Sequence, residues 1–112
     1  MAFHDPSDAW RPVPGVGGLD EVIVARDEDT GDSSRLVRFA PGTDTGPLGA
    51  LSHEFWEEAW IVSGSVEEAG RDGLLSAGMY ACRPPGTPHG PFVSRDGCLM
   101  LEIRYHTPAE AR

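Results

Sequence analysis

Glycine and proline interrupt this chain so often that a long regular helix has little room to form. The 112 residues hold 14 glycines and 10 prolines; proline fixes φ and removes a backbone donor, while glycine opens φ > 0. Between these breaks lie short runs rich in β-branched and other apolar residues: DEVIVAR (20–26), LVRFA (36–40), EEAWIVS (57–63), MYACR (79–83) and CLMLEIRYH (98–106). Polar turns separate them, among them DEDTGDSS (27–34) and the two RDG triplets at 71–73 and 95–97. About nine short strands with regularly spaced turns predict an all-β fold, an antiparallel β-barrel or jelly roll. Residues 1–19 read as an extended N-terminal arm anchored by Phe3 and Trp10. Residues 20–106 form the barrel domain, and 107–112 are a frayed or briefly helical tail. Gly64 is expected to end the strand that begins at Glu57.

Charge narrows the partners. A net charge of −9 and a pI near 4.7 argue against nucleic acid and against an anionic membrane surface. Every basic residue is Arg, so a side-chain Schiff base is excluded. With no apolar run of membrane-spanning length and no basic-then-apolar leader, a soluble cytoplasmic protein is expected. Cys82 and Cys98 lack C-x-x-C spacing and read as reduced strand residues. The glycine-rich segment 42–49 has neither a following helix nor a Lys, so it reads as a connection rather than a phosphate cradle.

Two stretches carry the chemistry. In LSHEFWEEAWIVSG (51–64), His53 and Glu57 stand four residues apart across a bend; in MYACRPPGTPHGP (79–91), a stiff proline loop aims His89. Two histidines and a carboxylate brought together from two strands make a typical N/O metal site. Strand alternation puts Glu57, Ala59 and Ile61 on one face and Glu58, Trp60 and Val62 on the other. A one-residue slip would exchange Glu57 for Glu58. On the last strand, Leu99, Leu101, Ile103 and Tyr105 share one face; Cys98, Met100, Glu102 and Arg104 share the other. Glu102 is a candidate base or extra ligand, or else the partner of Arg104 or Arg83. Tyr105 and Tyr80 are candidate hydrogen-bond donors to a substrate, or else packing residues. His4 and His106 read as solvated, and Trp56, Trp60, Phe55 and Phe92 as core, rim or dimer contacts.

These stretches resemble the two motifs of the cupin superfamily. The second motif appears as Gly78, Pro84-Pro85-Gly86 and His89, with Val93 where the family places Asn. The first appears as His53, Glu57 and Gly64, with Leu51 where the family places another His. The FAPG and LEIRY segments resemble small single-domain cupins of the ChrR-like kind. The resemblance implies a cupin barrel with one divalent metal ion on His53, Glu57 and His89. Fe(II) is favoured and Mn, Ni or Zn are possible. It also implies a homodimer and a small-molecule substrate. The expected function is a metal-dependent enzyme of non-haem dioxygenase type, with His53, Glu57, His89, Glu102 and Tyr105 as candidate catalytic residues. Leu51 keeps open a metal-free or zinc-assisted isomerase, cyclase or dehydratase working through His and Glu. A small-molecule- or metal-sensing binding domain is the third reading.

Overall fold

The computed structural model describes Phe3 and residues 5–107. The readings of His4 and of the tail beyond Thr107 lie outside the described residues. The described residues form nine strands: β1 (Arg11–Pro12), β2 (Leu19–Arg26), β3 (Ser33–Phe39), β4 (Thr43–Asp44), β5 (Trp56–Glu68), β6 (Leu75–Ser76), β7 (Tyr80–Arg83), β8 (Phe92–Ser94) and β9 (Cys98–Tyr105). Among the described residues, the helical elements are two 3-10 turns, Ser7–Ala9 and Gly46–Leu48. None is long and apolar enough to cross a membrane. The strands pair antiparallel in the order β1-β2-β3-β9-β5-β8-β4, and β6 and β7 also pair with β5. The expected all-β architecture is therefore present as one curled antiparallel sheet.

β5 organises it. Its first half lies between β9 and β7, with Glu57 opposite both Arg104 and Arg83; its second half pairs with β6 and then β8. Gly64 does not end this strand. The ladder with β9 slips between Ile61 and Ser63, which marks a bulge at Val62, and Gly64 continues the strand at φ +74°. A bulge inserts one residue and reverses the inward parity. Ala59 and Ile61 face inward before it, and Val66 is the inward residue after it. The sequence pattern gives no warning of this, because a glycine between two polar serines looks like a stop.

The apolar core spans the bulge, with Ala59 and Ile61 before it and Val66 after it. Val16, Leu19, Val37, Phe39, Ile61, Val66, Phe92 and Met100 pack together there. The N-terminal segment is more than an arm: Val13 and Val16 pack on this core, and Val13 N–H donates to the Leu19 carbonyl (2.9 Å). Trp10 anchors as expected, with the Arg38 guanidinium 4.1 Å over its ring. Phe3 does not; it is fully exposed.

The two cysteines are free, Cys82 exposed on β7 and Cys98 buried on β9. Burial raises the Cys98 thiol to about 11, and the thiolate is the reactive form. At pH 8, one equivalent of thiol reagent should label Cys82 quickly, with Cys98 following only on unfolding. Peptide mapping that finds both labelled at equal rates would contradict this placement.

Candidate metal centre

His53, Glu57 and His89 converge. Each offers one ligand atom, and the three atoms lie within 4.8 Å of one another. The two histidines are held by reciprocal backbone contacts. Leu51 and His89 exchange N–H···O=C bonds in both directions (2.8 Å each), and Gly86 N–H of the proline loop donates to the His53 carbonyl (2.8 Å). The residue at the family's first histidine position thus works through its backbone, while its side chain is exposed. Phe55 stacks on the His53 ring (centroids 4.6 Å, 10° between planes). His89 Nδ1 lies 3.4 Å from the Thr87 carbonyl oxygen; with the proton there, the Nε2 lone pair faces Glu57.

Glu57 is the pivot and is 1% exposed. Its Oε1 accepts from Arg83 Nη1 (2.8 Å) and stands 3.6 Å from His89 Nε2. Its Oε2 accepts from Arg104 Nε (2.8 Å) and stands 3.8 Å from His53 Nε2. This settles the choice between neighbours: Glu57 faces inward, and Glu58 faces outward, where the Tyr80 hydroxyl donates to it. Sequence reading missed the guanidinium pair on Glu57. Its only signal was the presence of Arg83 and Arg104 on strands whose pairing partners were unknown.

Ligand atoms each bonded to one ion at about 2.0–2.2 Å stand at most about 4.4 Å apart. The 3.6 and 3.8 Å separations, each to a different oxygen of Glu57, are within that reach. The set of three lies within 4.8 Å, so a small inward shift of the side chains would close it on an ion. The buried His53 Nε2 has no hydrogen-bond partner among the described residues. An orphaned buried ring nitrogen facing a carboxylate suits a metal ligand. Each carboxylate oxygen keeps a second acceptor site after its arginine bond. The donor set therefore fits a divalent ion, with Leu51 offering no fourth ligand.

Burial alone would raise the Glu57 carboxyl, but the charge and hydrogen bond of Arg104, with the charges of Arg83 and His89, hold it below its ordinary value. Burial lowers His53, and the nearby Arg104 and His89 add to that against the opposing pull of Glu57, so the ring is biased to its neutral form. Both shifts have the same linkage sign, because the unfolded chain binds more protons. Stability should fall as pH drops below about 6.5, where an unfolded His protonates. It should fall again below about 4.3, as Glu57 is driven through its depressed folded value. Denaturation midpoints measured from pH 8 to pH 3 check this; a midpoint that rises on acidification would refute it.

The other candidates separate. Glu102 is buried on the inner face, but its main partner is Arg35 (Nε to Oε1, 2.6 Å), with Arg104 at 3.7 Å and Arg83 engaged elsewhere. Tyr105 lies on the outer face of β9, stacked on Trp56 (6.4 Å), away from Glu57. The alternation that points Glu102 and Arg104 inward points Tyr105 outward. His106 pairs with Asp32 (3.1 Å) rather than standing free in solvent. Phe92 is core, and Trp60 lies exposed on the outer face.

A cavity of about 250 Å³ is lined by Arg83 and His89, the two neighbours of Glu57 Oε1, together with apolar residues that include Ile61, Phe92 and Met100. A separate recess of about 220 Å³ is lined by Arg104, the partner of Glu57 Oε2, with Arg26, Phe55 and His106. Glu68 also reaches the larger cavity, where it accepts from Gly90 N–H (2.8 Å). That position was hidden in the sequence by the bulge at Val62.

The family described as the ChrR cupin-like domain matches residues 2–107. The chain belongs to this cupin family. Solved structures agree on the fold. An acetylacetone dioxygenase from Acinetobacter johnsonii aligns with TM-score 0.77 and 14% identity, over 94% of this chain and 73% of that one. The polyketide cyclase RemF from Streptomyces resistomycificus aligns with TM-score 0.74 and 22% identity, over 96% and 80%. KdgF from Halomonas sp. aligns with TM-score 0.69 and 24% identity, over 97% and 94%. No curated protein matches the chain. At these identities the likeness speaks for the cupin fold alone, and the chemistry must come from the site.

Proposed function

We propose that this cupin is a metal-dependent enzyme acting on a small organic molecule, most simply a dioxygenase-type oxidoreductase. The observation that carries this reading is the orphaned, buried Nε2 of His53, aimed with His89 Nε2 at the oxygens of Glu57. His53, Glu57 and His89 would hold the ion and leave positions for substrate and dioxygen; when bound, it would supply Lewis-acid or redox chemistry. Fe(II) is the first choice because two imidazoles and one carboxylate with open positions suit non-haem iron. Arg83 and Arg104 fix both oxygens of Glu57, so the carboxylate is oriented before any ligand arrives. Ile61, Phe92 and Met100 in the larger cavity would pack on an apolar part of the substrate.

Metal analysis of protein purified without chelator should find about one iron per chain, lost in both His53→Ala and His89→Ala. Oxygen uptake with a β-diketone should stop on chelation and return with Fe(II). No stoichiometric metal after reconstitution would overturn the proposal.

One observation favours a second reading. Both oxygens of Glu57 already accept from guanidinium groups, and Leu51 contributes no ligand. Without an ion, the neutral His53 would serve as a base in an isomerisation, cyclisation or dehydration. Turnover that survives chelation but fails in His53→Ala would select it. For assembly we propose a homodimer through the outer face of β7, β5 and β9, where Trp60, Tyr80 and Ile103 are exposed. A monomeric mass in sedimentation at micromolar concentration would discard it.

A further inference from the structure

We propose that the larger cavity binds a small carboxylate with an apolar body, and that Arg83 anchors it. This names a substrate class for the site above and rests on that reading for its catalytic meaning.

The argument begins with charge order. Six side chains alternate in sign across the inner face: Glu21, Arg35, Glu102, Arg104, Glu57 and Arg83. Successive members are joined at 2.5, 2.6, 3.7, 2.8 and 2.8 Å. Each internal member has an opposite charge on both sides. The two ends do not. Glu21 ends the row with its side chain 24% exposed, so water completes its shell. Arg83 ends it with 12% exposure, at the cavity wall.

Arg83 donates to Glu57 through Nη1, and among the described residues no other carboxylate pairs with it. A guanidinium carries five N–H donors in a planar fork. The Arg83 donors not used on Glu57 are open to solvent at the cavity, where a carboxylate could accept from them in a charge-assisted contact. The cavity's other two formal charges, Glu68 and Arg71, have opposite signs; Glu57 offsets the Arg83 charge from outside the lining, so what Arg83 offers the cavity is its remaining N–H donors.

Shape supplies the rest of the ligand. Ile61, Phe92 and Met100 are among the apolar residues of the lining, with the Arg83 guanidinium 5.7 Å over the Phe92 ring. A volume near 250 Å³ suits one ring or a short branched chain rather than a peptide or nucleotide. Glu57 Oε1 is 2.8 Å from Arg83 Nη1 and 3.6 Å from His89 Nε2. Arg83 and His89 line the same cavity, so a carboxylate held there by Arg83 would share it with the proposed metal ligand His89.

Benzoate and its neutral analogue benzyl alcohol are the probes, titrated calorimetrically into the chain as purified and after chelation. Benzoate should bind one to one in both states, at least about tenfold tighter than benzyl alcohol, the scale of one charge-assisted hydrogen-bonded contact. Arg83→Gln should lower benzoate affinity at least about tenfold and leave benzyl alcohol within about twofold. Should Arg83→Gln not fold, Arg83→Lys, which retains the charge against Glu57, should still weaken benzoate several-fold. Ala81→Leu, which fills the cavity wall, should weaken both probes. Absence of benzoate binding, equal affinity for the two probes, or benzoate affinity unchanged in the Arg83 variants would overturn the proposal. Benzoate bound by a chain that takes up no metal would sink the metal-enzyme reading and leave this one. Metal-dependent oxygen uptake without benzoate preference would do the reverse.

Discussion

Glu57→Gln should cost this domain about 3–5 kcal/mol, the usual effect of removing one partner from a buried ion pair. The amide matches the carboxylate in size, so the loss is electrostatic. Arg83 and Arg104, 12% and 24% exposed at their side chains, would face each other across a neutral group. Against a total stability of roughly 5–15 kcal/mol for a domain, that loss is a large fraction. Thermal unfolding should shift down by more than about 10 °C, and any metal bound by the wild type should be lost as well. The paired variant Arg104→Met should cost less, because it removes one of two cations from the carboxylate. A Glu57→Gln protein melting within about 2 °C of the parent would show that the two guanidiniums do not depend on this charge.

Gly64→Ala should be nearly as damaging, for a steric reason. At φ +74° an L-residue meets its own backbone, a cost of about 1–2 kcal/mol. A Cβ there would also stand 2.8 Å from the Cys98 Cα and closer still to the Gly97 carbonyl oxygen. Both are backbone atoms, one at the start of β9 and one in the turn before it, and cannot rotate away, so overpacking adds about 1–3 kcal/mol. Gly31→Ala is the control: its φ is +78°, but nothing lies within 4 Å of the added carbon, leaving the backbone cost alone. Denaturant midpoints should separate the two variants clearly. Equal effects would mean that the approach of Gly97 to β5 does not constrain the bulge.

These two positions also divide what local sequence carries from what it does not. Gly64 was legible as a special residue but misread as a stop, since a bulge and a strand end have the same local composition. The difference lies in whether β9 continues alongside. Glu57 was legible through its spacing to His53 and Gly64, and its parity with Ala59 and Ile61 placed it on one face. Nothing local said that Arg104, 47 residues away, and Arg83, 26 residues away, would close on its two oxygens. Tyr105 shows the same limit: alternation separated it from Glu102, but only pairing with β5 decided which side was interior.

The all-β class, the strand periods, the stiff loop presenting His89 and the His53–Glu57 spacing are written in local residue order, because steric limits on φ and the two-residue side-chain period act within a few residues. Only the tertiary structure decided which faces turn inward, where the bulge re-aims Glu68, and which arginines hold Glu57. Those outcomes depend on cross-strand neighbours far apart in the chain, and their energies exist only once the sheet has curled around them.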